Sequence, residues 1–170
     1  TAAAAGETPL SAAASCGHSD IIAQLVAARA NPNHADPSSL TTPLMLAVVG
    51  GHMEAAQTLL GASADPNATR CRPEATPLLA AVASNSASMV QLLLDAHADI
   101  NPTTHSLRMT PLFMACQMGW AQLVRGLLQA GADKHQRALN GVSTLMVAAV
   151  GGHLEVVQAL LEGCQDGEGP

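Results

Sequence analysis

Aromatic side chains are almost missing from this 170-residue chain, which has one Trp, one Phe and no Tyr. An interior made without rings has to be filled by Leu, Val, Met and Ala, with Ala favoured where two helices approach closely. Charge is also scarce, at 12% of residues against 48% hydrophobic, and the formal balance of −6 argues against a general nucleic-acid binder. No apolar run reaches the roughly 18 to 20 residues that a membrane helix needs, so a soluble chain without membrane insertion is expected. The chain opens on Thr1 without a visible signal peptide, which points to a piece of a longer protein. Its four cysteines, Cys16, Cys71, Cys116 and Cys164, form no C-x-x-C pair. A reducing compartment, cytoplasmic or nuclear, fits that usage.

Catalytic signatures are absent too. There is no Gly-rich phosphate loop, no H-E-x-x-H pair, and no strand-to-helix G-x-S-x-G elbow. The stretch Gly61-Ala62-Ser63-Ala64-Asp65 is like an elbow only superficially, because it follows a helix. Cys16 and His18 stand two residues apart on a turn with no orienting carboxylate by pattern. No enzymatic activity and no cofactor are expected.

What is present is a repeat. Thr42 suits a helix N-cap and Pro43 the first helical position, where its missing N–H has no partner to lose. Gly50 and Gly51 stop that helix, and Met53 to Leu60 resumes apolar residues at helical spacing. Ala64 to Asn67 then leave the helix in an extended loop, since Pro66 disfavours helical geometry at Asp65. The same opening recurs at Thr8-Pro9-Leu10, Thr76-Pro77-Leu78, Thr110-Pro111-Leu112 and Ser143-Thr144-Leu145, in steps of 34 residues and finally 33. Five units in one phase are the mark of a repeat architecture. In that phase Ala13, Ala47, Ala81, Ala115 and Ala148 share one position, which reads as a contact too tight for a larger side chain.

The pattern T-P-L, then G-H, a Leu-rich second helix and A-D-x-N resembles the ankyrin repeat over roughly residues 6–163. The resemblance implies an all-α solenoid of stacked helix-turn-helix units with hairpin-like finger loops. Its expected divisions are a lead-in over 1–5, repeats over about 6–40, 41–75, 76–109, 110–142 and 143–163, and a tail over 164–170. It also implies a non-enzymatic protein-interaction scaffold or adaptor that binds a protein or peptide through its fingers and concave groove. The rival reading is a regulatory or autoinhibitory segment of a larger enzyme or transcription regulator. Two departures stand out. The family's Gly after the second helix is replaced by Arg29, Ser63, His97 and Cys164, and kept only at Gly131. The His of T-P-L-H is replaced by Ser11, Met45, Leu79, Phe113 and Met146, so the family's histidine network is not carried over.

Among seven histidines, His18, His52 and His153 share one place in their units. Stacked helices lie roughly 8 to 10 Å apart, too far for equivalent residues to share an ion whose ligands stand about 2 Å away. They are expected to hydrogen-bond local backbone, and no metal site is expected. Five of the seven Lys and Arg, namely Arg70, Arg72, Arg108, Lys134 and Arg137, fall in or beside the fingers, where Asp36 and Glu74 are the only acids at the tips. That points to an anionic partner, with solvated loop filler as the alternative. His105, Leu107 and Met109 share the third finger. The groove-facing helix ends carry Val49, Met118 and Val150 with almost no charge, and Trp120 beside Met118 is the favoured anchor. Burial between helices is the other reading of Trp120. Finally, Asn33, Asn67 and Asn101 each follow a Leu by eight residues, at a place where asparaginyl hydroxylases modify some ankyrin proteins. Asn bridging neighbouring loops is the structural alternative there.

Overall fold

The computed structural model describes residues 8–37, 40–71, 74–104 and 108–162. Ten helices among them come in pairs: α1 (Pro9–Ser15) with α2 (Ser19–Ala27), α3 (Pro43–Val49) with α4 (Met53–Gly61), α5 (Pro77–Ala83) with α6 (Ala87–Asp95), α7 (Pro111–Met118) with α8 (Ala121–Gln129), and α9 (Thr144–Val150) with α10 (Leu154–Glu162). Each first helix starts because a hydroxyl holds its open end. Thr42, Thr76, Thr110 and Ser143 accept from the backbone N–H three residues on, at 3.1 to 3.3 Å. Thr8 and Ser11 do so reciprocally.

Two compact units follow, Thr1–Ala98 and Asp99–Pro170. In the first, α1, α3 and α5 lie side by side and α2 packs on α4. In the second, α7 packs on α9 and α8 on α10. Ala13, Ala47, Ala81, Ala115 and Ala148 are all buried, and Leu44, Leu59, Leu78, Leu93, Leu112 and Leu127 fill the space around them. Aliphatic side chains thus supply the interior that aromatics do not.

The fingers differ in regularity. In the second, β1 (Arg70–Cys71) pairs antiparallel with β2 (Glu74–Ala75). The first and third close with Asp36 N–H to Thr41 O at 3.0 Å and Thr104 N–H to Met109 O at 3.1 Å. In the fourth an isolated bridge joins Arg137 and Ser143.

The second helices end in a shared motif. Arg29 N–H donates to Val26 O and Ala30 N–H to Leu25 O, both at 2.9 Å, with Arg29 at φ +67°. Ser63 and His97 take the same conformation at φ +65° and +63°, and Gly131 at +90°. The left-handed closure is therefore kept where glycine is not. Gly126, inside α8, shows the reverse mismatch, because a Cβ added there meets nothing within 4 Å. Close packing does not demand that glycine, so Gly126→Ala should raise the unfolding free energy by about 1 kcal/mol in a urea melt.

Cys116 lies fully buried in α7, at the position held by Val48 and Val82 in other repeats, and Cys16 is exposed. Burial pushes the Cys116 thiol from 9.0 up to about 12. Iodoacetamide should label Cys16 faster than Cys116 in the folded chain by a factor on the order of 100 or more, as read by mass spectrometry. The unfolded chain ionises this thiol near 9.0 and the folded chain does not until about 12, so stability falls as pH rises between those values. Cys116→Val should flatten that fall.

Candidate functional site

The turns between paired helices carry a clasp built from one histidine and two glycines. His52 Nε2 lies 3.0 Å from Ser15 O, 37 residues back, so the proton on Nε2 is donated to a carbonyl at the end of α1. His153 Nε2 does the same to Gln117 O at 3.1 Å. These histidines reach the preceding repeat rather than their own turn, which corrects the expectation of local bonding. A Cβ on Gly17 would stand 2.6 Å from the His52 ring, and one on Gly119 2.6 Å from the His153 ring. Only a residue without a side chain leaves the ring its place. Ser86 holds the position in the third repeat and instead caps α6 by accepting from Met89 N–H at 3.4 Å.

In the second unit the clasp sets the ends of α7 and α9 next to each other, and both are apolar. Met118 is 56% exposed and Val150 90%. Trp120 follows as the N-cap residue of α8 and is half-buried. In the first unit Val49 ends α3, 58% exposed. Arg108 is exposed at φ +52°, with half-buried Met109 beside it, and belongs to the third finger. Arg137 is exposed in the fourth, where its Nη1 donates to Gly141 O at 3.1 Å and folds the side chain over its own loop. Arg70 lies on β1, in the first unit. Arg72, His105 and Leu107 fall outside the described residues.

A search of the curated proteins found no match. The family model described as ankyrin repeats (3 copies) matches residues 1–70, 42–104 and 78–168. Those matches overlap and run through all five helix pairs. The chain belongs to the ankyrin-repeat family. Ankyrin repeats are in general protein-interaction modules, typically without catalysis of their own, and the helix pairs, turns and finger loops seen here are those of an all-α ankyrin solenoid.

The ankyrin asparagines bridge consecutive loops. Asn33 Nδ2 donates to Ser63 O at 3.0 Å, and its Oδ1 accepts from Asp65 N–H at 2.7 Å. Asn67 Nδ2 reaches His97 O at 3.4 Å, and Asn101 Oδ1 accepts from Asp133 N–H at 2.9 Å. The carbonyls at 63 and 97 belong to the left-handed residues, so the closure of one repeat supplies the acceptor for its predecessor. Asn33→Ala should lower stability by about 1 to 2 kcal/mol in a denaturant melt, because two hydrogen bonds between repeats are lost at once. Among the described residues, no group of three or more His, Cys, Asp or Glu is placed to hold a metal ion, and no helix is long and apolar enough to cross a membrane.

The sequence pattern assigned no binding role to Leu145, Met146, Leu154 or Leu161, which are all at least 40% exposed on α9 and α10. Leu145 and Met146 stand where Leu44 and Met45 are buried, whereas Leu161 stands where Leu60, Leu94 and Leu128 are half-buried and Leu154 where Met53 is half-buried and Ala87 exposed. The only available signal was their place in the final repeat.

Proposed function

We propose that the chain binds an extended, acidic segment of a protein partner, using apolar helix ends as the floor and finger arginines as the charged edge. In the second unit these are Met118, Val150 and Trp120 with Arg108 and Arg137. In the first they are Val49 with Arg70 and Arg72. The observation that carries this reading is the exposure of Met118 and Val150 on neighbouring helix ends, held there by the His153 bond. Large apolar side chains kept in water by a rigid clasp gain by being covered, and Met adapts to irregular partners.

Peptides selected by phage display against the folded chain, then titrated by fluorescence anisotropy, test it. Pairing Met118→Asp with Val150→Asp should weaken the selected peptides about tenfold or more, with helical circular dichroism retained. Arg108→Glu with Arg137→Glu should slow association and flatten its salt dependence. Unchanged affinity in both pairs would remove the site.

A further inference from the structure

In repeats two to five the residue just before the second helix is His52, Ser86, Trp120 and His153 in turn. Three of the four spend their polar group inside the protein. His52 and His153 donate a ring N–H to a main-chain carbonyl of the preceding repeat, Ser15 O at 3.0 Å and Gln117 O at 3.1 Å. Ser86 turns to its own helix and accepts from Met89 N–H at 3.4 Å. Trp120 does neither. An indole carries one donor and no acceptor, so it cannot cap the open N–H groups at the start of α8, and it makes no such bond. Among the described residues its Nε1–H meets no acceptor, and that nitrogen is open to solvent.

The backbone that carries this donor is fixed on both sides. Trp120 N–H donates to Ala115 O at 3.1 Å, and Trp120 O accepts from Val124 N–H at 2.9 Å. Gly119, left-handed at φ +76°, lies against the His153 ring, and Met118 beyond it is 56% exposed. A half-buried indole on a held backbone has only two side-chain torsions left, so fixing it in a complex costs little entropy. A Trp N–H in a covered contact usually takes a partner, because leaving it unpaired away from water is unfavourable.

The surroundings select the kind of acceptor. Positions 117–121 and 149–153 hold no Lys or Arg, so a carboxylate covered there would lack a cation, whereas a neutral carbonyl needs none. At both histidine clasps the donor from this position also goes to a main-chain carbonyl.

We propose, on the basis of the peptide-binding reading above, that Trp120 Nε1–H donates to a main-chain carbonyl of the bound segment and so sets its register over Met118 and Val150. Carbonyls of this kind are free in an extended segment and spent internally in a helix, so the bond favours an extended partner over a helical one. Recognition then divides: the indole reads the partner's backbone, and the finger arginines read its acids.

The chain's single Trp makes the test direct, because its indole gives one signal in a proton–nitrogen correlation spectrum. Adding a peptide selected against the folded chain should move that signal downfield and slow its exchange with solvent. Benzothienylalanine in place of Trp120 keeps the shape of the ring but has sulfur where the N–H was. It should weaken the peptide about three- to tenfold, the loss of one neutral hydrogen bond, with helical circular dichroism unchanged. Trp120→Phe should weaken it at least as much. Changing each Asp or Glu of the peptide to its amide, one at a time, should leave the benzothienylalanine factor as it was. Peptides that are weakened by Met118→Asp with Val150→Asp, but bind the Trp and benzothienylalanine chains equally, overturn this proposal and leave the binding reading standing. An amide change that erases the factor makes the acceptor a carboxylate and also overturns it. A library without binders, or binders indifferent to the Met118 and Val150 pair, removes the binding reading and this proposal together.

Discussion

Gly119→Ala is expected to lower the unfolding free energy by about 2 to 3 kcal/mol. Two costs combine. Gly119 sits at φ +76°, where an L side chain costs about 1 to 2 kcal/mol. The new Cβ would also stand 2.6 Å from His153 Nδ1, closer than real contacts allow, so the ring must leave. With it goes the 3.1 Å bond to Gln117 O, a loss on the order of 1 kcal/mol. For a chain of this size the melting temperature should fall by about 5 to 10 °C. A double-mutant cycle separates the two costs: with His153→Ala already present, Gly119→Ala should cost only the backbone part. Equal costs in both backgrounds would show that the ring is not held against the glycine. Met118 and Val150 should also lose their fixed spacing, so peptide binding is expected to weaken along with stability.

Replacing Arg29, Ser63 and His97 together by Gly should act in the opposite direction, raising stability by about 2 kcal/mol. Each of these residues holds a left-handed backbone at φ +63° to +67°, which Gly adopts without the Cβ clash. The relief of about 1 to 2 kcal/mol per site is partly offset by the larger backbone entropy that Gly has in the unfolded chain, about 0.5 to 1 kcal/mol. The asparagine bridges survive, because Ser63 O and His97 O belong to the backbone. A melting temperature higher by about 4 to 8 °C is expected. No gain, or a loss, would mean that the side chains at 29, 63 and 97 make contacts that outweigh their strain.

Much of the fold was legible because it depends on contacts within a few residues. Thr-Pro openings start helices at Pro9, Pro43, Pro77 and Pro111, and the hydroxyl caps act over three residues. The replacement of glycine by Arg29 left open whether the left-handed closure is kept, and the structure shows that it is, at φ +67°. The candidate site was legible only as a list of residue types. Arg137 reads as a free finger cation, but its guanidinium turns back onto Gly141 O. His52 reads as a turn residue, but its bond spans 37 positions.

The sequence by itself determined the unit and its phase: where each helix begins, where it reverses, and which position recurs as Ala. Those follow from backbone geometry and caps that act within one turn of helix. Only the tertiary structure decided which copies of a repeated side chain are covered. Leu44 and Leu145 carry the same pattern around them, but one is buried and the other 40% exposed. Burial depends on what packs against each copy, and a periodicity that is the same in every repeat holds no information about that.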